Sequence, residues 1–185
     1  AKCRYFFALC PTIECQDRLL NVATWARRGW CRVERASRQF SEHDTWILVQ
    51  SPTVVHVAGG TLSFPPGSVG EGEFTIESDR ARLAPVMKAI VERKLRLSLK
   101  AGDLPSYRRY LNLQAVHFRG FNVEPVNGIA LDNTDGTVDV VASFLLQNGF
   151  TGPKHRDAAG WLPIHYAAMS GNVNLVEGLL LQRAD

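Results

Sequence analysis

The chain has no stretch of about 18 consecutive apolar residues, because Arg, Asp, Glu, Gly or Pro interrupts every candidate run, and a membrane-spanning helix is therefore excluded. It has little net charge. The 21 Lys and Arg against 18 Asp and Glu leave +3, too weak a field to argue alone for nucleic acid or an anionic surface. Cysteine is confined to the first 31 residues, where Cys3, Cys10, Cys15 and Cys31 form neither a CxxC pair nor the spacing of a secreted disulfide framework. Reduced, partly buried thiols are expected, since a zinc site joining them to His43 would lack a close-spaced ligand pair. Also missing are the phosphate-cradling Gly-x-x-x-x-Gly-Lys, the Gly-x-Ser-x-Gly elbow and His-Glu-x-x-His. The residues themselves signal no cofactor and no metal.

What is present is an ordinary globular composition, 45% hydrophobic and 21% charged over 185 residues, which predicts one or two folded domains rather than a disordered chain. The beginning reads as α/β. Tyr5 to Leu9 is a short apolar run closed by Cys10-Pro11, and Leu19, Leu20, Ala23, Ala26, Trp30, Val33 and Phe40 then recur at helical steps, with Gly29 as a break that divides the segment into one helix or two. Two runs rich in β-formers follow, Thr45 to Val49 and Thr53 to Val57. Residues 61–77, with Pro65, Pro66 and several glycines, read as a linker. From Ser78-Asp79 a helix is expected to Leu99 on the spacing of Leu83, Met87, Ile90, Val91 and Leu95, with Pro85 as a kink or second start. The expected organisation is an α+β chain: an α/β module over 1–60, a linker over 61–77 and a helical region over 78–185.

The helical region contains a repeat. Strings beginning Gly102-Asp103-Leu104, Gly136-Thr137-Val138 and Gly171-Asn172-Val173 each place a Leu nine residues after the Gly, and the glycines lie 34 and 35 apart. Each Gly is expected to end one helix in the left-handed conformation, and the Asp, Thr or Asn after it to cap the next. In the last unit Asp157, Gly160, Pro163-Ile164-His165, Ala167-Ala168, Gly171-Asn172, Leu175-Val176, Leu179-Leu180 and Ala184-Asp185 resemble an ankyrin repeat. The resemblance implies stacked helical hairpins that bind proteins, with a clear unit at 157–185 and degenerate ones near 86–120 and 121–150. It makes His165 a turn-stabilising residue. Leu162 departs from the family's usual Thr, which implies a looser start to this unit. Because Asp185 falls where one ankyrin unit hands over to the next, a longer parent chain is expected.

In the first module, Gly29-Trp30-Cys31-Arg32-Val33-Glu34 resembles the Trp-Cys-x-x-Glu signature of Toll/interleukin-1-receptor (TIR) domains, of which the chain would supply about the second half. That resemblance implies NAD cleavage with Glu34 as the catalytic carboxylate, in a pocket that a lone Glu does not provide. A plainer role suits the same residues, with Trp30 and Cys31 in the core and Glu34 in a surface ion pair. Together with Gly70 to Arg80, the Trp-Cys-x-x-Glu module and the repeats are similar to a large family of ankyrin-repeat proteins in dinoflagellate algae. This implies an accessory subunit of a larger complex, a chloroplast photosynthetic assembly among the options.

Charge clusters add candidate contacts. Arg28, Arg32, Arg35 and Arg38 follow a four-three-three spacing along one helix face, and Arg93, Lys94, Arg108 and Arg109 flank the Ala101-Gly102-Asp103 turn. The acidic run Glu71, Glu73, Glu77 and Asp79 lacks the positions of a calcium loop. The expected function is a protein-interaction scaffold or docking subunit, binding protein partners and not nucleic acid, through Lys154, His155, Arg156 and Trp161 with Arg93, Lys94, Arg108 and Arg109. Membrane association would then be peripheral and through the complex, and the compartment, cytoplasm or plastid, is not encoded in these motifs.

Overall fold

The computed structural model describes residues 3–58, 67–128 and 139–182. Short β-strands occupy the N-terminal part and helices follow, a mixed α+β arrangement. The chain divides into two units, Ala1–Ile90 with His117–Val123, and Val91–Val116 with Glu124–Asp185.

In the first unit, β1 (Phe7–Leu9) pairs in parallel with β4 (Trp46–Val49), which pairs antiparallel with β5 (Val55–Ala58). Between β1 and β4 lie β2 (Ile13–Cys15), β3 (Arg18–Leu20), α1 (Val22–Arg27) and α2 (Gly29–Gln39). The β2–β3 hairpin corrects the helical reading of Leu19 and Leu20. Leu19 and Leu20 fit the helical period but sit on a strand, because Gln16 turns the chain at φ 52° and Asn21 starts a helix only after them. The Asn21 carboxamide accepts from the Ala23 and Thr24 amides while the Thr24 hydroxyl accepts from the Asn21 amide, a reciprocal cap that pins the start of α1.

Strand alternation gives the three-stranded sheet one dry side and one bare side. Ala8, Trp46 and Leu48 are buried, with Trp25 of α1 stacked on Trp46 at 5.8 Å between ring centroids. On the other side the register aligns Phe7 with Ile47 and Val57, and Leu9 with Val49 and Val55. Phe7, Leu9, Val55 and Val57 there remain 57%, 72%, 54% and 75% exposed.

The arginine stripe of α2 does not form the solvated face its spacing suggests. Arg38 is buried and donates to three carbonyl oxygens, those of Thr45, Cys3 and Arg4, at 2.6–2.9 Å. Arg32 donates to the Ala26 and Ser68 oxygens and Arg35 to that of Gly67, so three of the four guanidiniums act as backbone clamps. The segment expected as linker is packed over its described part: Val69–Glu71 forms a 3₁₀ turn with Val69 buried, while residues 61–66 lie outside the described residues.

α3 (Ser78–Lys100) runs through Pro85 as a single helix and buries Leu83, Ala84 and Met87 in its first half. In the second unit its remaining turns are followed by α4 (Leu104–Asn112), α5 (Gln114–His117, the last residue of which belongs to the first unit), α6 (Val140–Gln147), α7 (Pro163–Ser170) and α8 (Val173–Leu181). Gly102 and Gly171 both adopt φ 70°, and the residue after each caps the next helix: Asp103 accepts from the Ser106 amide and Asn172 from the Leu175 amide. Gly136 lies outside the described residues, as does Thr137, and α6 is capped instead by Asp139, which accepts from the Val141 amide. Val141, Phe144, Phe150, Tyr166, Ala167, Leu175 and Leu179 form one hydrophobic cluster of this unit's core.

His117, in the first unit, meets the Phe40 ring edge-on at 4.8 Å, and burial pushes its imidazole down to about 4. Neutral imidazole is thus the folded form, whereas the unfolded chain takes up the proton near pH 6.5. Stability is complete above that value and falls as the pH drops from about 6.5 to about 4, by up to about 3 kcal/mol from this group. Urea unfolding across that range is expected to show this loss in the natural chain and a flatter profile in His117→Gln.

Candidate protein-interaction site

The second unit holds the loop from Thr151 to Leu162 in place through one buried cation. Arg108 of α4 is almost fully buried. A guanidinium cannot shed its proton in a protein, so its donors require acceptors wherever it is buried. Its Nε donates to the Asn148 carbonyl at 2.8 Å and its Nη2 to that of Gly149 at 2.9 Å. These two carbonyls lie at the C-terminal end of α6, where unpaired oxygens and the helix dipole both favour a cation. The third direction, Nη1, meets the Asp157 carboxylate at 3.3 Å, and the guanidinium plane lies 3.9 Å over the Phe150 ring.

Asn148 and its neighbours complete the junction. Asn112, one turn beyond Arg108, donates to the Asn148 side-chain oxygen at 2.6 Å, Asn148 donates back to the Phe144 carbonyl, and the Tyr107 hydroxyl donates to the Gln147 carbonyl. Asn112 and Asn148 are buried, so their hydrogen bonds avoid the penalty of unsatisfied polar atoms.

Asp157 carries the network into the loop. One carboxylate oxygen accepts from the amides of Ala159 and Trp161, both at 2.9 Å, which closes the turn. The other accepts from the Tyr166 hydroxyl at 2.6 Å as well as from Arg108. Burial by itself would raise the Asp157 carboxyl, but the hydrogen bonds from Tyr166, the two amides and Arg108 outweigh it and hold it below the usual carboxylate range. Tyr166 moves the opposite way, its phenol raised by burial and by the same carboxylate. At the end of the loop the Leu162 amide donates to His165 Nδ1 at 2.9 Å. The turn expected to be loose for want of a Thr is therefore tied by the His, and Leu162 itself is buried.

On this frame Lys154, Arg156 and Trp161 are exposed and His155 is half-buried. Trp161 is 40% exposed, with its inner edge against the rings of His165 and Tyr166 at 5.5 and 5.4 Å. Arg156 reaches back to the Gly160 carbonyl, and His155 Nδ1 lies 2.9 Å from the Thr151 hydroxyl. Among the second set, Arg93 and Arg109 are exposed and Lys94 is half-buried, Lys94 and Arg109 each lying about 5 Å from the Tyr110 ring centroid. Arg108 departs from its expected place in a contact surface because the carbonyls closing α6 and the Asp157 carboxylate take it into the core. The sequence sign was available: Arg108 and Asn112 stand one turn apart among Tyr107, Tyr110 and Leu111, too apolar a setting for a solvated face.

Glu34 is exposed on α2, lines neither the cleft around Arg27 and Phe74 nor the one around Gln114 and Phe144, and among the described residues its carboxylate receives no hydrogen bond or ion pair. Nor does the plainer role expected of its neighbours hold: Trp30 is 51% exposed and donates its indole N–H to Asp79 at 3.1 Å. All four cysteines are free thiols, Cys10 buried and Cys31 half-buried, with both thiols raised chiefly by burial. Among the described residues no three His, Cys, Asp or Glu side chains gather as metal ligands. No helix among them is long and apolar enough to cross a membrane. Comparison with protein-family models, with curated proteins and with solved structures finds no match to this chain.

Asp157→Asn leaves the Arg108 guanidinium buried without its counter-charge, a loss of about 3 kcal/mol or more. Hydrogen exchange is expected to show faster opening across residues 140–182 in this variant, with amides of the β1–β4–β5 sheet unaffected.

Proposed function

We propose that this protein is a docking or scaffold component of a protein assembly, its C-terminal unit stacking helical hairpins in the ankyrin manner and offering the 151–162 loop to a protein partner. The observation that carries this reading is the fixed loop frame. Asp157, tied to Arg108, Tyr166 and two loop amides, leaves Trp161 exposed on a backbone with little freedom to rearrange, with Arg156 held to the adjacent Gly160 carbonyl and Lys154 exposed in the same loop. A half-exposed aromatic beside cations, preorganised by buried hydrogen bonds, is the composition of an interaction hot spot and fits an acidic partner surface with an apolar pocket.

The matching turns at Gly102 and Gly171, each followed by a capping Asp or Asn, support the repeat reading. So does the His165 contact that closes the start of α7. The bare sheet side of the first unit supports a role in assembly, since contiguous exposed apolar surface is characteristic of interaction sites.

With the full chain as bait, capture from the native source followed by mass spectrometry is expected to recover a defined protein partner. The Lys154→Glu/Trp161→Ala double variant should lose at least about thirtyfold in affinity for it, the effect of about 2 kcal/mol at a hot spot. A partner held equally well by a correctly folded double variant would remove the loop from the binding surface.

A further inference from the structure

In the first unit most arginines are engaged by the protein itself. Arg32, Arg35 and Arg38 clamp carbonyls, Arg80 pairs with Glu77, Arg82 with Asp79 and Arg119 with Glu71. Arg18, Arg27 and Arg28 differ: among the described residues none of their guanidiniums has a hydrogen bond or ion pair to the protein, and all three line one cleft of about 680 Å³.

The cleft is built, not incidental. Arg18 lies on β3, opposite Cys15 in the hairpin. Arg27 and Arg28 end α1, and their backbone is stitched to the chain at Glu73: the Glu73 amide donates to the Arg27 carbonyl at 2.8 Å and the Gly29 amide to the Glu73 carbonyl at 2.9 Å. The ring of Phe74 occupies the space a side chain at position 29 would need, so Gly29 is what lets the aromatic wall stand there. Leu19 and Leu20 supply further apolar surface, and Thr24 and Thr75 complete the lining. Glu73 is the one carboxylate in the lining, which leaves an excess of two positive charges facing the space.

Guanidiniums present paired N–H donors that match phosphate oxygens, and three of them on one wall-bounded space concentrate a potential that attracts an anion. The volume falls within the range of small-molecule sites, and apolar walls with a few convergent polar groups are their usual make-up. We infer that this cleft binds a small phosphate ester, its phosphate oxygens on Arg18, Arg27 and Arg28 and its ring or acyl portion against Phe74 and Leu20. The site is separate from the loop proposed to dock a protein and does not rest on that reading.

Calorimetric titration of the full chain with phenyl phosphate and with inorganic phosphate tests this. Phenyl phosphate is expected to saturate with a Kd below about 1 mM, and inorganic phosphate to bind at least about tenfold more weakly. Arg27→Gln/Arg28→Gln and, separately, Arg18→Gln should each weaken phenyl phosphate by about tenfold or more, while Phe74→Leu weakens phenyl phosphate and leaves inorganic phosphate unchanged. Sedimentation with phosphatidic acid vesicles separates the two sources of such an ester. Binding to vesicles that the double variant loses places it on a lipid headgroup; binding of phenyl phosphate without the vesicles places it on a soluble compound. The inference is overturned by absence of saturation up to about 1 mM phenyl phosphate, or by unchanged affinity in both arginine variants when their circular dichroism matches that of the natural chain.

Discussion

Each of the two units is organised around a buried guanidinium that cannot be neutralised. Arg38 is 3% exposed and Arg108 is 2% exposed. Because desolvation of a permanent cation is tolerated only with its donors filled, each drags backbone oxygens toward itself. Arg38 gathers the chain before β1 and the residue before β4, so the two parallel strands start at a common clamp. Arg108 gathers the end of α6 and the loop carboxylate. In both, one long side chain fixes segments that are distant in sequence.

The loop proposed as the contact surface is a by-product of that satisfaction. Asp157 is held by four donors, and the same carboxylate that compensates Arg108 folds the turn that exposes Trp161. Recognition and stability therefore share atoms in the second unit. The cleft of the first unit follows the opposite logic, since among the described residues its three guanidiniums have no hydrogen bond or ion pair to the protein.

Much of the element order was legible because it follows from local chemistry. The apolar runs ending at Leu9 and Val49 became β1 and β4, and the spacing from Ser78 became α3 almost to the residue. The β2–β3 hairpin was not legible, because Leu19, Leu20, Ala23 and Ala26 satisfy a helical period and the turn uses Gln16 at positive φ rather than Gly or Asn. Within the candidate site, Lys154, His155, Arg156 and Trp161 were expected as exposed contacts from the ankyrin resemblance; Lys154, Arg156 and Trp161 are exposed, and His155 is half-buried. Arg108 was misplaced because a charged residue type is read as surface until its acceptors are seen. The same limit hid the division among the α2 arginines: spacing places them on one face, but only the carbonyls around Arg32, Arg35 and Arg38 tell a clamp from a free cation.

The sheet side carrying Phe7, Leu9, Val55 and Val57 has a thermal consequence. Burial of such surface is driven by water entropy near room temperature and weakens on cooling. Any assembly closed over that side inherits the sign: warming from the cold tightens it and refrigeration loosens it, the reverse of a contact held by hydrogen bonds alone. A complex built this way would be recovered whole at room temperature and in pieces from ice.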